Sequence, residues 1–401
     1  MSEVRKAVQK LYNTYPFPPD PLLSEPPPGY NWRWHYQSAY NFCKGKKPQR
    51  PSPRILDAGC GTGSSTEYLV LHNPHADILA VDISENALAT AQRRLEKSGV
   101  LKDFQGKIEF KQFQVEDARE LEGEFDLINS VGVLHHLPNP VIGIQALADK
   151  LAPDGLFHIF VYAELGRWEI LLMQEAIALL QGEKRGDYQD GVKVGRDLFA
   201  GLPDYSRLLQ REKERWALEN QRDECFADMY VHPNEFDYNI NSLFDFIATS
   251  GLDFVGFSNP DFWQLEKLIP REDLRRRAQS LTPQQRYRLI ELLDPSSVTH
   301  YEFFLAKPPF IKETWQDDEK LLKAIPELNP CMMGWESRSL LDYQYHPITL
   351  SDGEFNFMKS SALNPNQSLS VGDILSQSDD FNLDGVRLLI QRQLIMVSSN
   401  I

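Results

Sequence analysis

The sequence predicts an α/β fold, an open and mostly parallel sheet flanked by helices, and three observations carry that prediction. Short apolar runs alternate with helical patterns five times between residues 54 and 162. The first run, Arg54-Ile55-Leu56-Asp57-Ala58, passes straight into the glycine-rich turn Gly59-Cys60-Gly61-Thr62-Gly63, as a buried strand does when it opens onto a nucleotide-like ligand. The next run, Asp77-Ile78-Leu79-Ala80-Val81-Asp82, ends in a carboxylate 19 residues past Gly63, near the spacing at which an acidic side chain meets ribose hydroxyls.

Each element follows in order. Gly59 suits a tight turn after the first strand, Gly61 a close approach of backbone to ligand, and Gly63 close packing of the following helix, which opens at Ser64-Ser65-Thr66. Asp82 has two readings: a bidentate acceptor for ribose hydroxyls, or the N-cap of a helix over Glu85 to Lys97, a role that Ser84 fills better. Lys107 to Phe113 alternates as a half-buried third strand and leads to Val115-Glu116-Asp117-Ala118. Phe125 to Val131 is the fourth strand, followed by Gly132-Val133-Leu134-His135-His136-Leu137-Pro138. A Pro153-Asp154-Gly155 turn precedes the fifth strand, Gly155 to Tyr162. The glycine turn, Asp82, Asp117 and Ser130 to His136 all map to the carboxyl ends of the strands, where open α/β sheets bind ligands.

The G-x-G-x-G spacing, with Asp57 two positions before its first glycine, resembles motif I of the class I S-adenosylmethionine-dependent methyltransferases. The resemblance implies a Rossmann-like seven-stranded methyltransferase sheet and S-adenosylmethionine as cofactor. It implies a cofactor pocket made by Asp57, Ala58, Gly59, Cys60, Gly61, Gly63, Asp82, Ile83, Asp117, Ala118, Ser130 and His135. Asp117 stands where that family accepts a hydrogen bond from the adenine amino group. A dehydrogenase would need the longer G-x-G-x-x-G spacing, and a phosphate-binding loop a lysine where Ser64 stands. His135 and His136 are adjacent and have no third ligand at suitable spacing, so no metal is expected. They are expected to shape the cofactor and acceptor pocket or to satisfy buried backbone groups.

Beyond Tyr162 the pattern outgrows the minimal fold. Residues 166 to 235 read as helices around a polar stretch at 181 to 188, and such an insertion commonly forms the substrate wall. Phe236 to Ser250 reads as a helix, Leu252 to Phe257 as a sixth strand and His300 to Ala306 as a seventh, with 42 residues of helical sequence between those two strands. Met229-Tyr230-Val231-His232-Pro233-Asn234-Glu235-Phe236, followed by Gly251 to Gly256, loosely resembles methyltransferases that carry a methyltransferase regulatory domain, bacterial protein-lysine methyltransferases among them. Four regions are expected: an aromatic and proline-rich lid at 1–50, the cofactor-binding core at 51–165, helical insertions with the last two strands at 166–310, and a small winged-helix-like domain at 311–401. In the first, Tyr12 and Tyr15 are read as covering the cofactor, against the alternative that they pack on outer helices. Tyr15, His136, Tyr230 and His232 are the candidate catalytic residues, and no base is assigned among them.

Composition bounds the partners. The 401-residue chain carries a net charge of −15, and residues 311–401 hold 7 Lys or Arg against 13 Asp or Glu. Both oppose a phosphate-gripping surface, so nucleic acid is not the expected partner and the terminal domain is read as a protein-interaction or homodimerisation module. Four scattered cysteines fit a reducing compartment, and no run is apolar enough to span a bilayer, so a cytoplasmic enzyme is expected. The expected reaction is in-line methyl transfer, to a protein side chain such as lysine first, to a small molecule or lipid second. A non-catalytic cofactor-binding scaffold is the third reading.

Overall fold

The alternating apolar runs become seven strands of one sheet: β1 (Arg54–Ala58), β2 (Asp77–Asp82), β3 (Lys107–Gln112), β4 (Phe125–Val131), β5 (Leu151–Tyr162), β6 (Asp253–Phe257) and β7 (His300–Ala306). This is seen in a computed structural model that describes residues 2–50, 52–332, 334–362, 369–377 and 380–399. The strand order is β3-β2-β1-β4-β5-β7-β6. β1 to β5 run parallel, and β7 is antiparallel to both of its neighbours. The order reverses between β1 and β4, which opens a crevice beyond the carboxyl ends of those strands.

The central strands are covered on both faces, so they read as continuous apolar runs rather than alternating ones. Leu56, Ile128, Phe157 and Phe303 are fully buried in the core cluster. Polar residues in this interior are paired with one another across the sheet. Asn129 Nδ2 donates to Asp57 Oδ1 (2.8 Å), and His158 bridges Asn129 Oδ1 (2.8 Å) and Glu302 Oε1 (3.1 Å). A hydrogen-bonded ladder thus joins β1, β4, β5 and β7 at the root of the crevice.

Several elements differ from their sequence reading for identifiable reasons. Pro153-Asp154-Gly155 is absorbed into β5 as an irregularity, since the register steps from Phe125 opposite Leu151 to Leu127 opposite Leu156. The helix expected from Phe236 begins at Ile240, because the Asn239 side chain accepts the N–H groups of Asn241 and Ser242 in a capping box. Gly63 makes room for a different helix from the one it opens: a Cβ there would lie 2.7 Å from Ala91 Cβ on the helix Glu85–Ser98. Ser84 caps that helix, its Oγ accepting from Ala87 N.

The chain divides into two units, one of Met1–Pro27 with Arg54–Pro308 and one of Pro28–Pro53 with Pro309–Ile401. The segment expected as a single lid at 1–50 is therefore shared between them. In the second unit, the helices Asp352–Ala362, Val371–Leu375 and Leu383–Gln391 precede the strand Ile395–Ser398, which pairs antiparallel with Ile325–Leu328. Trp315, Leu321, Met358, Val371, Val386, Leu389 and Ile395 form its core. Among the described residues no helix is long and apolar enough to cross a membrane.

Candidate active site

The crevice has two sides. On the first, the glycine turn and the ends of β2 and β3 are stitched together mainly by backbone. Gly59 and Cys60 N–H both donate to the Val81 carbonyl, at 2.8 and 2.9 Å. Gly61 N–H donates to Asp82 Oδ2 (2.9 Å) and Ser84 N–H to Asp82 Oδ1 (2.8 Å). Burial pushes the Asp82 carboxyl up to about 6 despite those two N–H bonds. The Asp57 carboxylate, one turn earlier, accepts from Ser65, Thr66 and Asn129, so its role in this structure is to hold the turn. Gly61 has a positive φ of 54°, and a Cβ there would lie 2.4 Å from the Phe17 carbonyl oxygen. The close approach it allows is thus to the N-terminal segment, whose Phe17 carbonyl also accepts from Thr62 N–H (3.1 Å). Ala58 and Cys60 are buried, and the Ile83 carbonyl accepts from Gln9 and Gln112. Asp117, half-buried, and buried Ala118 lie on the short helical turn Val115–Glu120 after β3.

Four polar atoms on this edge are buried without a hydrogen-bond partner: Gln114 Oε1 after β3, Ser130 Oγ on β4, and both ring nitrogens of His135. A Cβ on Gly132, whose φ is 77°, would meet nothing within 4 Å. Open backbone, unpaired acceptors and a carboxylate at the end of β2 are the groups a ligand with ribose hydroxyls and an amino-bearing base requires.

The second side is assembled from distant segments. His136 follows β4, Tyr162 ends β5 and Arg167 follows it. Asp228 lies on the helix Asp223–Tyr230, His232 and Glu235 come just after, and Tyr12 arrives from the helix Glu3–Thr14. Asp228 accepts from Tyr12 OH at 2.9 Å and, more weakly, from Tyr162 OH at 3.4 Å. The His136 and His232 rings stack with centroids 3.7 Å apart and planes at 27°, and His135 lies tilted by 38° against Tyr162 with centroids 4.0 Å apart. Arg167 lies 3.4 Å over the Tyr162 ring and pairs with Glu235 at 3.1 Å. Burial lowers all three histidines, holding them neutral at pH 7. Burial raises Asp228 above the usual carboxylate range, while the neighbouring His136 and the Tyr12 hydroxyl oppose the rise.

Of the candidate catalytic residues, the fold brings His136 and His232 together. Tyr230 is buried in the insertion and donates to Glu212 at 2.5 Å, and Tyr15 packs against the insertion's apolar cluster. Sequence reasoning missed Tyr162, Arg167 and Asp228. Tyr162 ends a predicted strand and Arg167 follows five residues on, at the sheet edge where open α/β folds place their sites. Asp228 carried no signal beyond its place on a helix that leads into His232.

A protein-family model described as a methyltransferase domain matches residues 56–157. An uncharacterised protein of Synechococcus sp. is 56% identical over 98% of this chain and 93% of its own length. A protein of Pseudanabaena tenuis named as an uncharacterised phycocyanin operon protein W is 63% identical over 23% of this chain and 87% of its own length. A ubiquinone biosynthesis O-methyltransferase of Dechloromonas aromatica is 26% identical over 47% of this chain and 72% of its own length. Among solved structures, PKMT2 from Rickettsia typhi in complex with AdoHcy superposes with a TM-score of 0.61 at 14% identity, covering 94% of this chain and 78% of that one, a likeness of fold.

Proposed function

Starting from the class I S-adenosylmethionine-dependent methyltransferases, the family to which this chain belongs, we propose that the enzyme methylates a nitrogen of a protein side chain, lysine being the first acceptor to test. S-adenosylmethionine is its cofactor, and it supplies a methyl group already activated by the positive charge on sulfur. Asp82 is assigned to the ribose, Asp117 and Ala118 to the adenine, and the Gly59–Gly63 turn with Ser130 and His135 to the remainder of the cofactor. The protein's tasks are then to align the acceptor, exclude water and remove a proton.

The depth of the polar wall on the second side carries the reading. Arg167, Asp228, His136 and His232 are 3, 5, 4 and 7% exposed. A slender group such as an extended side chain reaches atoms so enclosed more readily than a bulky ring does. The name of the phycocyanin operon relative supplies phycocyanin as a specific protein to assay. A second reading, O-methylation of a small molecule, draws support from the name of the ubiquinone relative.

The two readings separate in one experiment. Methyl-labelled cofactor is incubated with the enzyme and either purified phycocyanin or a lysate split into macromolecules and small extractables. Label in protein, recovered as a methylated side chain after hydrolysis, supports the first reading. Label confined to the extractable fraction replaces it with the second, and no label in any fraction overturns both.

A further inference from the structure

On the methyl-transfer reading just given, we propose that His136 and His232 are a matched pair of fixed tautomers, in which His136 Nε2 takes the proton that leaves the methyl acceptor and His232 Nε2–H donates to an oxygen of the acceptor molecule beside, and not at, the reacting atom. One residue sets both rings. His136 Nδ1 lies 3.1 Å from the Asn234 carbonyl oxygen, which can only accept, so Nδ1 carries the proton and Nε2 has a bare lone pair. Asn234 N–H, which can only donate, lies 3.2 Å from His232 Nδ1, so that ring carries its proton on Nε2. His232 Nε2 is buried and has no hydrogen-bond partner. A buried donor left unpaired is costly, and an oxygen of the bound acceptor molecule relieves it.

The setting residue is itself pinned. Asn234 Nδ2 donates to the Leu137 carbonyl at 2.9 Å and to the His136 carbonyl at 3.3 Å, tying the segment after β4 to the one after the helix Asp223–Tyr230. With both Nδ1 atoms engaged at Asn234 and the planes only 27° apart, the two Nε2 atoms are left outside that contact as one acceptor and one donor. Two histidines free to rotate would not keep this complementarity.

Charge in the surroundings suits the step. The Asp228 carboxylate on one helix and Glu235 after it favour a protonated His136, while Arg167 beyond β5 opposes it. His232 opposes His135 in the same way that His136 does, and the Tyr12 and Tyr162 hydroxyls hold Asp228 in place. In the transfer, the acceptor atom's lone pair forms the new bond to the methyl carbon as the sulfur–carbon bond breaks, and that bond's electron pair goes to sulfur. The acceptor's proton passes to His136 Nε2, and the resulting imidazolium is countered by Asp228.

Two measurements test the pairing. Long-range ¹⁵N–¹H spectra of the histidine-labelled full chain at neutral pH, assigned with His136→Gln and His232→Gln, read the tautomers without cofactor. The expected result is Nδ1–H for His136 and Nε2–H for His232, and a proton on His136 Nε2 overturns the proposal. In single-turnover transfer from saturating labelled cofactor into the acceptor fraction of the lysate assay, the wild-type rate is expected to fall tenfold per pH unit on the acid side, as His136 protonates. His136→Gln is expected to lose that limb and about 10²–10⁴-fold in rate, with cofactor affinity by calorimetry unchanged within about twofold on the same grounds. A variant that keeps the acid limb refutes the assignment. Absence of transfer by the wild type overturns the methyl-transfer reading instead, and the tautomer spectra still decide the pairing.

Discussion

On the β1–β3 side of the crevice, the Asp57 and Asp82 carboxylates are satisfied by near neighbours and by backbone. Asp82 accepts N–H bonds from Gly61 and Ser84, and Asp57 is satisfied by Ser65 and Thr66 eight and nine residues on and by Asn129 beside it in the sheet. On the β4–β5 side, Tyr12, His136, Arg167, Asp228 and His232 come from four segments spread over 220 residues, and Arg167 Nε and His232 Nε2 have no hydrogen-bond partner. The difference fits the ligands. On the proposed assignment, a cofactor of fixed shape would be met by a local motif that folds into one geometry, while recognition of an acceptor would be left to side chains held together only by tertiary packing. It follows that damage on the first side should weaken cofactor binding, and damage on the second should cost stability and turnover.

Arg167→Met is the harshest test of the second side. Arg167 is 3% exposed, ion-paired with Glu235 (3.1 Å) and within 3.9 Å of Asp237, whose side chains are 1 and 2% exposed. Removing one partner of such a pair leaves the other charge buried and uncompensated, at a cost of about 3–5 kcal/mol. Urea unfolding should register that loss. A loss below about 1 kcal/mol, the range of an exposed pair, would mean the insertion relaxes freely and the contrast between the two sides is mistaken.

Asp82→Ala is the matching test of the first side. Two hydroxyl-to-carboxylate bonds of about 1.5–3 kcal/mol each predict that cofactor affinity falls by about 10²–10⁴-fold, and the Gly61 and Ser84 N–H groups that lose their acceptor lower the unfolding midpoint as well. The same residue predicts a pH effect. On the proposed ribose assignment its carboxyl, pushed up to about 6 by burial, would accept both hydroxyls only when ionised. Affinity should therefore be level above pH 6 and fall by up to tenfold per unit below it, and Asp82→Asn should show no such slope. The free protein runs the opposite way: a raised carboxyl contributes stability below its unfolded value near 4 that is lost as pH rises towards 6.

The same contrast decides what was legible in the sequence. The seven strands, the Ser84 cap and the place of the glycine turn follow from patterns a few residues long. His136 and His232 were visible as residue types, but their stacking depends on Asn234, 98 residues beyond His136, and no local pattern encodes that. Gly61 illustrates the limit from the other direction. Its positive φ was foreseeable from the motif, whereas its closeness to Phe17 depends on where the N-terminal segment docks. Asp228 was illegible because charged residues on helices are ordinarily solvated, and only packing shows that this one is not.

The smallest effect, from Tyr12→Phe, is also the one that best locates the border between the two sides. The helix Glu3–Thr14 touches both: Arg5 pairs with Glu116 at 3.1 Å and Gln9 donates to the Ile83 carbonyl on the cofactor side, while Tyr12 OH donates to Asp228 on the acceptor side. Phenylalanine keeps the ring and removes only the hydroxyl, so a bond to a buried carboxylate worth about 1–3 kcal/mol is lost without a change of shape. Asp228, already raised by burial, loses one of the interactions that opposes the rise and becomes a weaker counter-charge for His136. Turnover should drop by about tenfold, the order that loss of roughly 1.4 kcal/mol gives, while cofactor affinity stays within about twofold. If calorimetry instead found the cofactor weakened as much as turnover, Tyr12 would belong with Arg5 and Gln9 as part of the cofactor's cover, and the acceptor side would begin at β4.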